Sequence, residues 1–408
     1  MALKKFWVMA YRDLVRNKRR TVITFIAIAL GLTLVIFMNG LITGMLDGML
    51  KDTIRLDSGH IQLRADSYEV VKSSLLWQDL LDNPDELAAR AAALPQVQAV
   101  SPILWAGGVL GTASESTSVR VSGIDPTSAL FDPIREGLRA GQFLSENGRG
   151  EILIGQRLAD ELGVGVGDRI NLAVGNPDGL PEEGQFTIVG LINTGFPGID
   201  NANVFLSLAQ AQAITGSGNR ASTVRILLHD AKDSDTVMAA MQTPGVTVLD
   251  WQELNEFVLT TMETGTAFYA ILYAIIFLVV AVIIANTLLM SVFERTREIG
   301  ILAALGMKGR QIMTMFLFEA TILGLIGSVF GIILGAIVVY YFSINGIFFG
   351  ELGDAAGSMA FGDSLYTALV PVNLFVMAFW MLVVIVIVSL YPAWYAARLQ
   401  PVEALHAL

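Results

Sequence analysis

Four long apolar runs, set apart by polar sequence, lay out the plan of this chain. The first, Thr21–Thr43, carries no charge over 23 residues. At 1.5 Å of rise per residue that is roughly 34 Å of helix, enough to cross a hydrocarbon core of about 30 Å. The others are Phe268–Phe293, Ile312–Phe342 and Asn373–Ala397. A signal peptide has a shorter apolar core with a small-residue cleavage site soon after it. The first run is long and no such site follows, so it reads as a retained anchor. The pattern predicts a membrane protein with four transmembrane α-helices, at 21–43, 267–293, 312–342 and 373–397.

Between the first and second spans the period changes. Residues 44–266 alternate short runs of strand character with stretches of helical spacing. Strands are expected at His60–Arg64, Ala99–Leu104, Ser118–Gly123, Ile152–Ile154, Arg169–Val174, Phe186–Ile192, Asn203–Leu206, Thr223–Leu228 and Val246–Leu249. Helices are expected at Asp85–Leu94, Gln156–Leu162, Leu208–Ile214 and Ser234–Met241. The fold class is therefore four membrane helices plus a large mixed α/β extracytoplasmic domain inserted between helices 1 and 2, with two subdomains that meet near 105–150. Trp251–Met262 reads as a helix running into the second span, with Gly265 its weak point. Leu46–Leu56 is the matching linker after the first span, and the two together make a stalk.

Charge then orients the chain. Residues 1–43 hold seven Lys/Arg against one acid, and residues 44–266 hold fourteen against twenty-nine. Arg295, Arg297, Lys308 and Arg310 lie between the second and third spans, while residues 345–372 have no Lys or Arg. The positive-inside rule puts both termini, the 294–311 loop and the 398–408 tail in the cytoplasm, and the 44–266 domain and 343–372 loop outside. This is the layout of a multi-pass protein of the inner cell membrane, in contact with membrane lipids. Ahead of the first span, Leu3, Phe6, Trp7, Ala10 and Leu14 recur at helical spacing among Lys4, Lys5, Arg12 and Arg16. Residues 1–20 thus read as an amphipathic lead-in on the inner membrane surface, with a plain solvated lead-in as the other reading. The acidic 44–266 block does not suit a nucleic-acid partner.

Composition removes most catalytic classes. Apolar residues make up 54% of the 408 and charged residues 15%, a membrane-protein bias. There is no cysteine, which excludes disulfides and thiolate chemistry, and the three histidines, His60, His229 and His406, are scattered. No G-x-x-x-x-G-K-[ST] phosphate loop, G-x-S-x-G serine or H-E-x-x-H metal motif occurs, so the chain reads as a non-catalytic subunit with no cofactor or metal of its own. Asp178, Glu182 and Glu183 read either as a cation or basic-partner site or, more plainly, as a solvated loop. Glu319 is the one acid in the third span, and an intramembrane carboxylate is a functional candidate by default. Its plainer reading is an interfacial or interhelical hydrogen bond. Gly324, Gly327, Gly331 and Gly335 form a small-xxx-small series that lets helices approach closely, within the subunit or between subunits.

The loop after the second span carries the functional signal. Glu294-Arg295-Thr296-Arg297-Glu298-Ile299-Gly300-Ile301-Leu302-Ala303-Ala304-Leu305-Gly306-Met307 is a charged turn followed by an amphipathic stretch. Gly306 stands where a helix end favours a left-handed residue. A short surface helix of this kind suits a groove on a cytoplasmic partner.

That loop resembles the signature of the FtsX-like, or macrolide-exporter-type, ABC permease superfamily. Ala10–Thr21 and Tyr391–Leu405 are similar to the superfamily's two ends. Within it, Val119–Pro126, Ile152–Val164 and Gly167–Ile170 most resemble the lipoprotein-releasing (Lol-type) permeases. The resemblance implies that Glu294, Arg295, Arg297, Glu298, Gly300, Leu305, Gly306 and Met307 form a coupling helix for a cytoplasmic ATPase subunit, bound in two copies, which would hold the ATP and Mg. It implies a second permease subunit, identical or homologous, and a lipidated or amphipathic substrate moved by mechanical transmission. Phe37, Leu41, Phe268 and Leu272 are the expected apolar contacts of that substrate. One Lol subunit also carries a hook for a periplasmic chaperone; here the corresponding loop, Gly175–Gln185, is shorter and acidic. Two further functions stay open: export of peptides or antibiotics, and signal transmission to an extracytoplasmic partner.

Overall fold

The computed structural model describes Arg16 and residues 18–68, 75–146, 148–348 and 364–399. The expected amphipathic lead-in lies outside the described residues except for Arg16 and 18–20, as do 349–363 of the 343–372 loop and 400–408 of the tail. In chain order the elements are helix α1 (Lys18–Thr53) with a π turn (Ile54–Ser58), β1 (Ile61–Ala65), α2 (Pro84–Ala92), β2 (Val97–Gly111) and β3 (Ser116–Ile124). There follow α3 (Asp132–Glu136), β4 (Leu138–Gly141), β5 (Glu151–Gly155), α4 (Gln156–Leu162), β6 (Arg169–Gly175) and β7 (Pro181–Ile192). Next come α5 (Pro197–Asp200), β8 (Asn203–Ser207), α6 (Leu208–Thr215), β9 (Thr223–Leu228), α7 (Ser234–Met241) and β10 (Val246–Asp250). Last come α8 (Trp251–Leu254), α9 (Glu256–Glu294), α10 (Thr296–Ala304), α11 (Gly309–Asn345) and α12 (Pro371–Ala397). The chain divides into two compact units, one drawn from residues up to 47, 262–347 and from 365 onward, the other from 48–261 with a short piece ending at 364.

In the first unit α1, α9, α11 and α12 are the four helices long and apolar enough to span a membrane. Hydrocarbon offers no partner to a backbone N–H or C=O, so a spanning segment must satisfy its own, as a helix does. Between such helices no water-driven force operates, and close packing supplies the attraction. The glycine series of α11 serves this end within the chain. A Cβ on Gly327 would stand 2.7 Å from Ile28 Cγ2, one on Gly331 2.9 Å from Leu32 Cβ, and one on Gly335 2.8 Å from Ile36 Cγ2. Each glycine is a groove for a residue of α1 at the same four-residue repeat. Gly324 turns instead to Ile385 of α12, and Gly31 of α1 receives Val280 of α9. Ile28, Leu32, Ile36, Val280, Ile284, Met381 and Ile385 close the core between them. Polar contacts add to it: Thr33 donates to the Gly331 carbonyl at 3.3 Å, Asn39 donates to the Tyr273 hydroxyl at 3.3 Å, and Asn373 donates to Asn39 Oδ1 at 3.0 Å.

The second unit holds a ten-stranded sheet in the order β10-β1-β9-β2-β3-β8-β5-β7-β4, with β6 joining β2 and β7. All nine expected strands are present, and each expected helix has a counterpart. The expected boundary between subdomains near 105–150 is not a linker. It is strand β2, whose 15 residues join two parts of this sheet. Its first part pairs β9 up to Ile103↔Thr223, and its second part pairs β3 from Leu104↔Gly123 onward. One core gathers Ile61, Leu63, Leu87, Ala91, Val224, Ile226 and Val237 under α2 and α7. The other gathers Leu104, Leu110, Ile152, Ile154, Leu158, Leu172, Ile188 and Leu206 under α4 and α6.

The stalk residues are stitched to this sheet. Arg225 on β9 donates from Nη1 to the carbonyls of Leu56 (3.0 Å) and Asp57 (2.6 Å) in the π turn. It lies against the Phe131 ring, and burial pulls its guanidinium down to about 10, still protonated at neutral pH. Asp57 also meets Arg120 at 2.6 Å. Asn255 donates to Ser58 Oγ at 3.1 Å, tying the start of α9 to the end of the π turn. The expected weak point, Gly265, lies inside an unbroken α9; the break falls at Asn255, where φ is −114° and ψ 22° between α8 and α9. An unconstrained glycine costs a helix only about 1 kcal/mol, whereas the side chain of Asn255 has non-helical partners to reach.

Gly331→Leu is expected to overpack the α1–α11 contact by about 1–3 kcal/mol and lower the melting temperature of the detergent-solubilised chain. Gly48, in α1 with nothing within 4 Å of an added Cβ, is the control. Gly48→Ala should leave melting unchanged or raise it, since glycine is about 1 kcal/mol worse than alanine in a helix. Melting followed by size-exclusion chromatography checks both; a Gly331→Leu chain that melts with the wild type would sink the groove assignment.

Candidate functional site

The loop singled out by sequence folds as α10, joined to α9 through one non-helical residue, Arg295 (φ −111°, ψ 13°). One face of α10 points into the unit. Ile299 is 1% exposed and Gly300 is buried, and Ala303 and Met307 pack against a cluster of Val292, Ile312, Met315, Phe316, Ala393 and Ala396. That cluster draws on the end of α9, the first turns of α11 and the end of α12, so α10 lies across all three. The other face is open: Arg297, Ile301, Ala304, Leu305 and Lys308 are exposed, Leu305 by 80%. Glu294 is exposed at the end of α9.

The C-terminus of α10 is closed by a Schellman pattern. Met307 N donates to the Leu302 carbonyl at 3.1 Å and Gly306 N to the Ala303 carbonyl at 3.0 Å. The reversal requires φ +93° at Gly306, a conformation that side chains disfavour. The chain then turns straight into α11, where Gln311 Oε1 accepts from Lys308 N at 2.9 Å. A Cβ on Gly309 would stand 2.8 Å from the Ala397 carbonyl, so α11 begins hard against the end of α12. The exposed Leu305 is therefore presented on a short, capped helix with both ends fixed.

A line of alternating charge runs behind this helix. Arg16 Nη2 lies 2.5 Å from Glu298 Oε1, Arg295 Nε 3.2 Å from Glu298 Oε2, and Arg295 Nη1 3.6 Å from Glu319 Oε2. Arg295 is 6% exposed and Glu319 only 1%, and the guanidinium sits 6.0 Å from the Phe316 ring centroid. Burial alone would raise the Glu298 carboxyl, but hydrogen bonds from Arg16 and Arg295 and their charges outweigh it and hold it below the usual carboxylate range.

Of the residues expected in coupling, Glu294, Arg297, Leu305 and Gly306 are exposed, Gly300 and Met307 lie on the closed side, Glu298 is half-buried and Arg295 is buried. The four expected substrate contacts fall on two helices, Phe37 and Leu41 on α1 and Phe268 and Leu272 on α9. Phe37 is half-buried with its ring 5.7 Å from that of Phe342, Phe268 is 60% exposed beside Tyr269, and Leu41 and Leu272 are half-buried. Asp178 accepts from Trp77 Nε1 at 2.9 Å, and Glu182 and Glu183 lie on the exposed hairpin of β6 and β7. Among the described residues no group of three or more His, Asp or Glu is placed to hold a metal ion. Sequence reasoning marked Glu319 but not its partner. The available signal was a lone intramembrane acid within reach of a loop rich in arginine.

Residues 21–243 match the family described as MacB-like periplasmic core domain, and residues 270–401 match the FtsX-like permease C-terminal family. The lipoprotein-releasing system transmembrane protein LolC of Neisseria meningitidis is 25% identical, over 94% of this chain and 93% of that protein. The macrolide export ATP-binding/permease protein MacB of Bdellovibrio bacteriovorus is 24% identical over 97% of this chain, which spans 60% of that protein. The crystal structure of the periplasmic region of MacB from Actinobacillus actinomycetemcomitans matches 51% of this chain and 97% of that region, at 12% identity and a TM-score of 0.35.

A side chain at Gly306 should loosen the end of α10. Gly306→Val places a β-branched residue at positive φ, at a cost of about 1–2 kcal/mol. Limited trypsin cleavage after Lys308 is expected to quicken by roughly 5–30-fold, the population shift of that cost. Peptide mass analysis of the digest measures it, and unchanged cleavage would mean that the cap does not hold the helix.

Proposed function

We propose lipoprotein release from the inner membrane as the task of this chain, which belongs to the family of ABC permeases that join a MacB-like periplasmic core domain to an FtsX-like C-terminal region. What carries this reading is that the likeness to a lipoprotein-releasing protein runs from end to end, through membrane helices and outside domain alike. In this reading the chain is the non-catalytic permease. A separate cytoplasmic ATPase subunit, in two copies with ATP and Mg, docks on the open face of α10, and a second permease, identical or homologous, completes the complex.

The geometry supports the docking step. Leu305 and Ile301 present apolar surface beside the positive Arg297 and Lys308 on the side assigned to the cytoplasm. An exposed apolar anchor rimmed by charge is the kind of surface a groove recognises. ATP-driven closure of the ATPases then moves α10, and α9 and α1 carry that motion toward the outside domain. The spans hold almost no charge with which to line an aqueous path, which favours mechanical transmission over a pore. A lipid-anchored substrate enters sideways from the outer leaflet between α1 of one subunit and α9 of its neighbour. Phe37, Leu41, Phe268 and Leu272 supply apolar contacts in this reading, Phe268 being an exposed side chain of α9.

A second reading, peptide or antibiotic export, draws on the comparable identity to the macrolide exporter over nearly the whole chain. Signal transmission to an extracytoplasmic partner is the third.

Mass spectrometry of everything retained with the detergent-solubilised chain from its native membrane separates them. A P-loop ATPase with acylated lipoproteins is the expected result. An ATPase with outer-membrane exporter partners selects the second reading, an ATPase with a cell-wall hydrolase selects the third, and no ATPase removes all three. Leu305→Glu should cut the retained ATPase by about tenfold or more, since an interface anchor is worth about 2 kcal/mol or more.

A further inference from the structure

The buried charge line behind α10 has no role in docking, because its inner members cannot be reached. Arg295 and Glu319 are 6% and 1% exposed. A carboxylate in hydrocarbon is expensive, and a buried ion pair is seldom the most stable choice for a site that apolar side chains could fill. Such a pair does have direction and a defined partner, which apolar packing lacks. Its placement is specific: Arg295 is the single non-helical residue between the second span and α10, and Glu319 lies about three turns into the third span, one turn beyond Phe316, against which the guanidinium rests.

We propose that Arg295 and Glu319 are positioning residues that pin the hinge between α9 and α10 to α11, with Glu298 and Arg16 extending the clamp. The inference rests on reading α10 as the coupling helix. The clamp makes α10 move with the third span as one body, so that a push received at Leu305 is delivered to the bundle and not lost in rotation about Arg295. Arg295 and Glu298 therefore leave the set of direct ATPase contacts, which narrows to the open face of Arg297, Ile301 and Leu305. Among the described residues, Glu298 from α10, Glu319 and Phe316 from α11 and, through Glu298, Arg16 face Arg295.

The chain has no cysteine, so a single one can be labelled cleanly. A nitroxide on Arg297→Cys, an exposed position, reports the motion of α10 in the full-length chain without any ATPase. With Glu319 intact the spectrum should be dominated by an immobilised component. Glu319→Gln should lose that component, and the charge swap of Arg295→Glu with Glu319→Arg should regain it. In the complex with its ATPase, Glu319→Gln should retain the ATPase at the wild-type level while substrate released per ATP falls by about tenfold, within the usual span of coupling between sites. The swap should restore it. A Glu319→Gln spectrum identical to wild type would overturn the clamp. So would a swapped chain that melts like the wild type yet stays mobile, since Glu319 would then act apart from Arg295. Loss of ATPase binding in the unmutated chain would instead defeat the coupling reading and leave the nitroxide result standing, so the two failures are distinguishable.

Discussion

The close approach of α1 and α11 governs what the membrane unit can be. Three glycines at a four-residue repeat let Ile28, Leu32 and Ile36 sit where side chains would otherwise keep the helices apart. Without an aqueous driving force, dispersion over that contact is the main attraction available, and it falls away steeply with distance. The packing around α10 follows from it. With α11 fixed against α1, and fixed again against α12 at Gly324 and Gly309, the cluster of Val292, Ile312, Met315 and Ala396 has one arrangement, and Ile299 has one slot to fill.

Much of this arrangement was legible in the sequence, and the reasons differ by level. Spans are read from composition because hydrocarbon imposes its requirement on each segment separately. The strands of the outside domain were read from runs such as Ile152–Ile154 and Thr223–Leu228, which are buried on both faces and so nearly continuous in apolar residues. Strand β4 was not, because Leu138–Gly141 is a short edge strand with exposed positions and no alternation. Gly306 could be placed as a helix stop because a cap is local. Pairing is not local. The sequence offers seven basic residues before the first span and four after the second, and nothing in it says which of them reaches Glu319.

The sharing of β2 shows the same limit on a larger scale. Two subdomains were expected to meet near 105–150, and the boundary is a change of partner along one strand, which no local signal marks. Neither part of the sheet can be removed without leaving part of β2 unpaired, so the two parts are linked through backbone hydrogen bonds and not through a flexible joint. The attachment of the stalk uses this stiffness. Arg225 lies on β9, which pairs both β1 and β2, and its guanidinium holds two carbonyls of the π turn. A load applied at that turn is therefore received by a central strand.

Transmission without a pore makes two demands, a stiff path and a defined pivot, and a charged hinge answers the second better than a glycine does. A glycine at the α9–α10 junction would turn freely and in every direction. Arg295 leaves the same single non-helical residue but places its side chain against Phe316 and Glu319 on a neighbouring helix, the contact on which the proposed clamp rests. The continuity of α9 through Gly265 fits this division. In the proposed reading α9 carries the load, and non-helical residues stand at its two ends, Asn255 and Arg295, each with a side-chain contact across the chain. A path so built would pass force in either direction, so it is compatible with the proposed extraction of a substrate and equally with delivery of a signal to a partner outside.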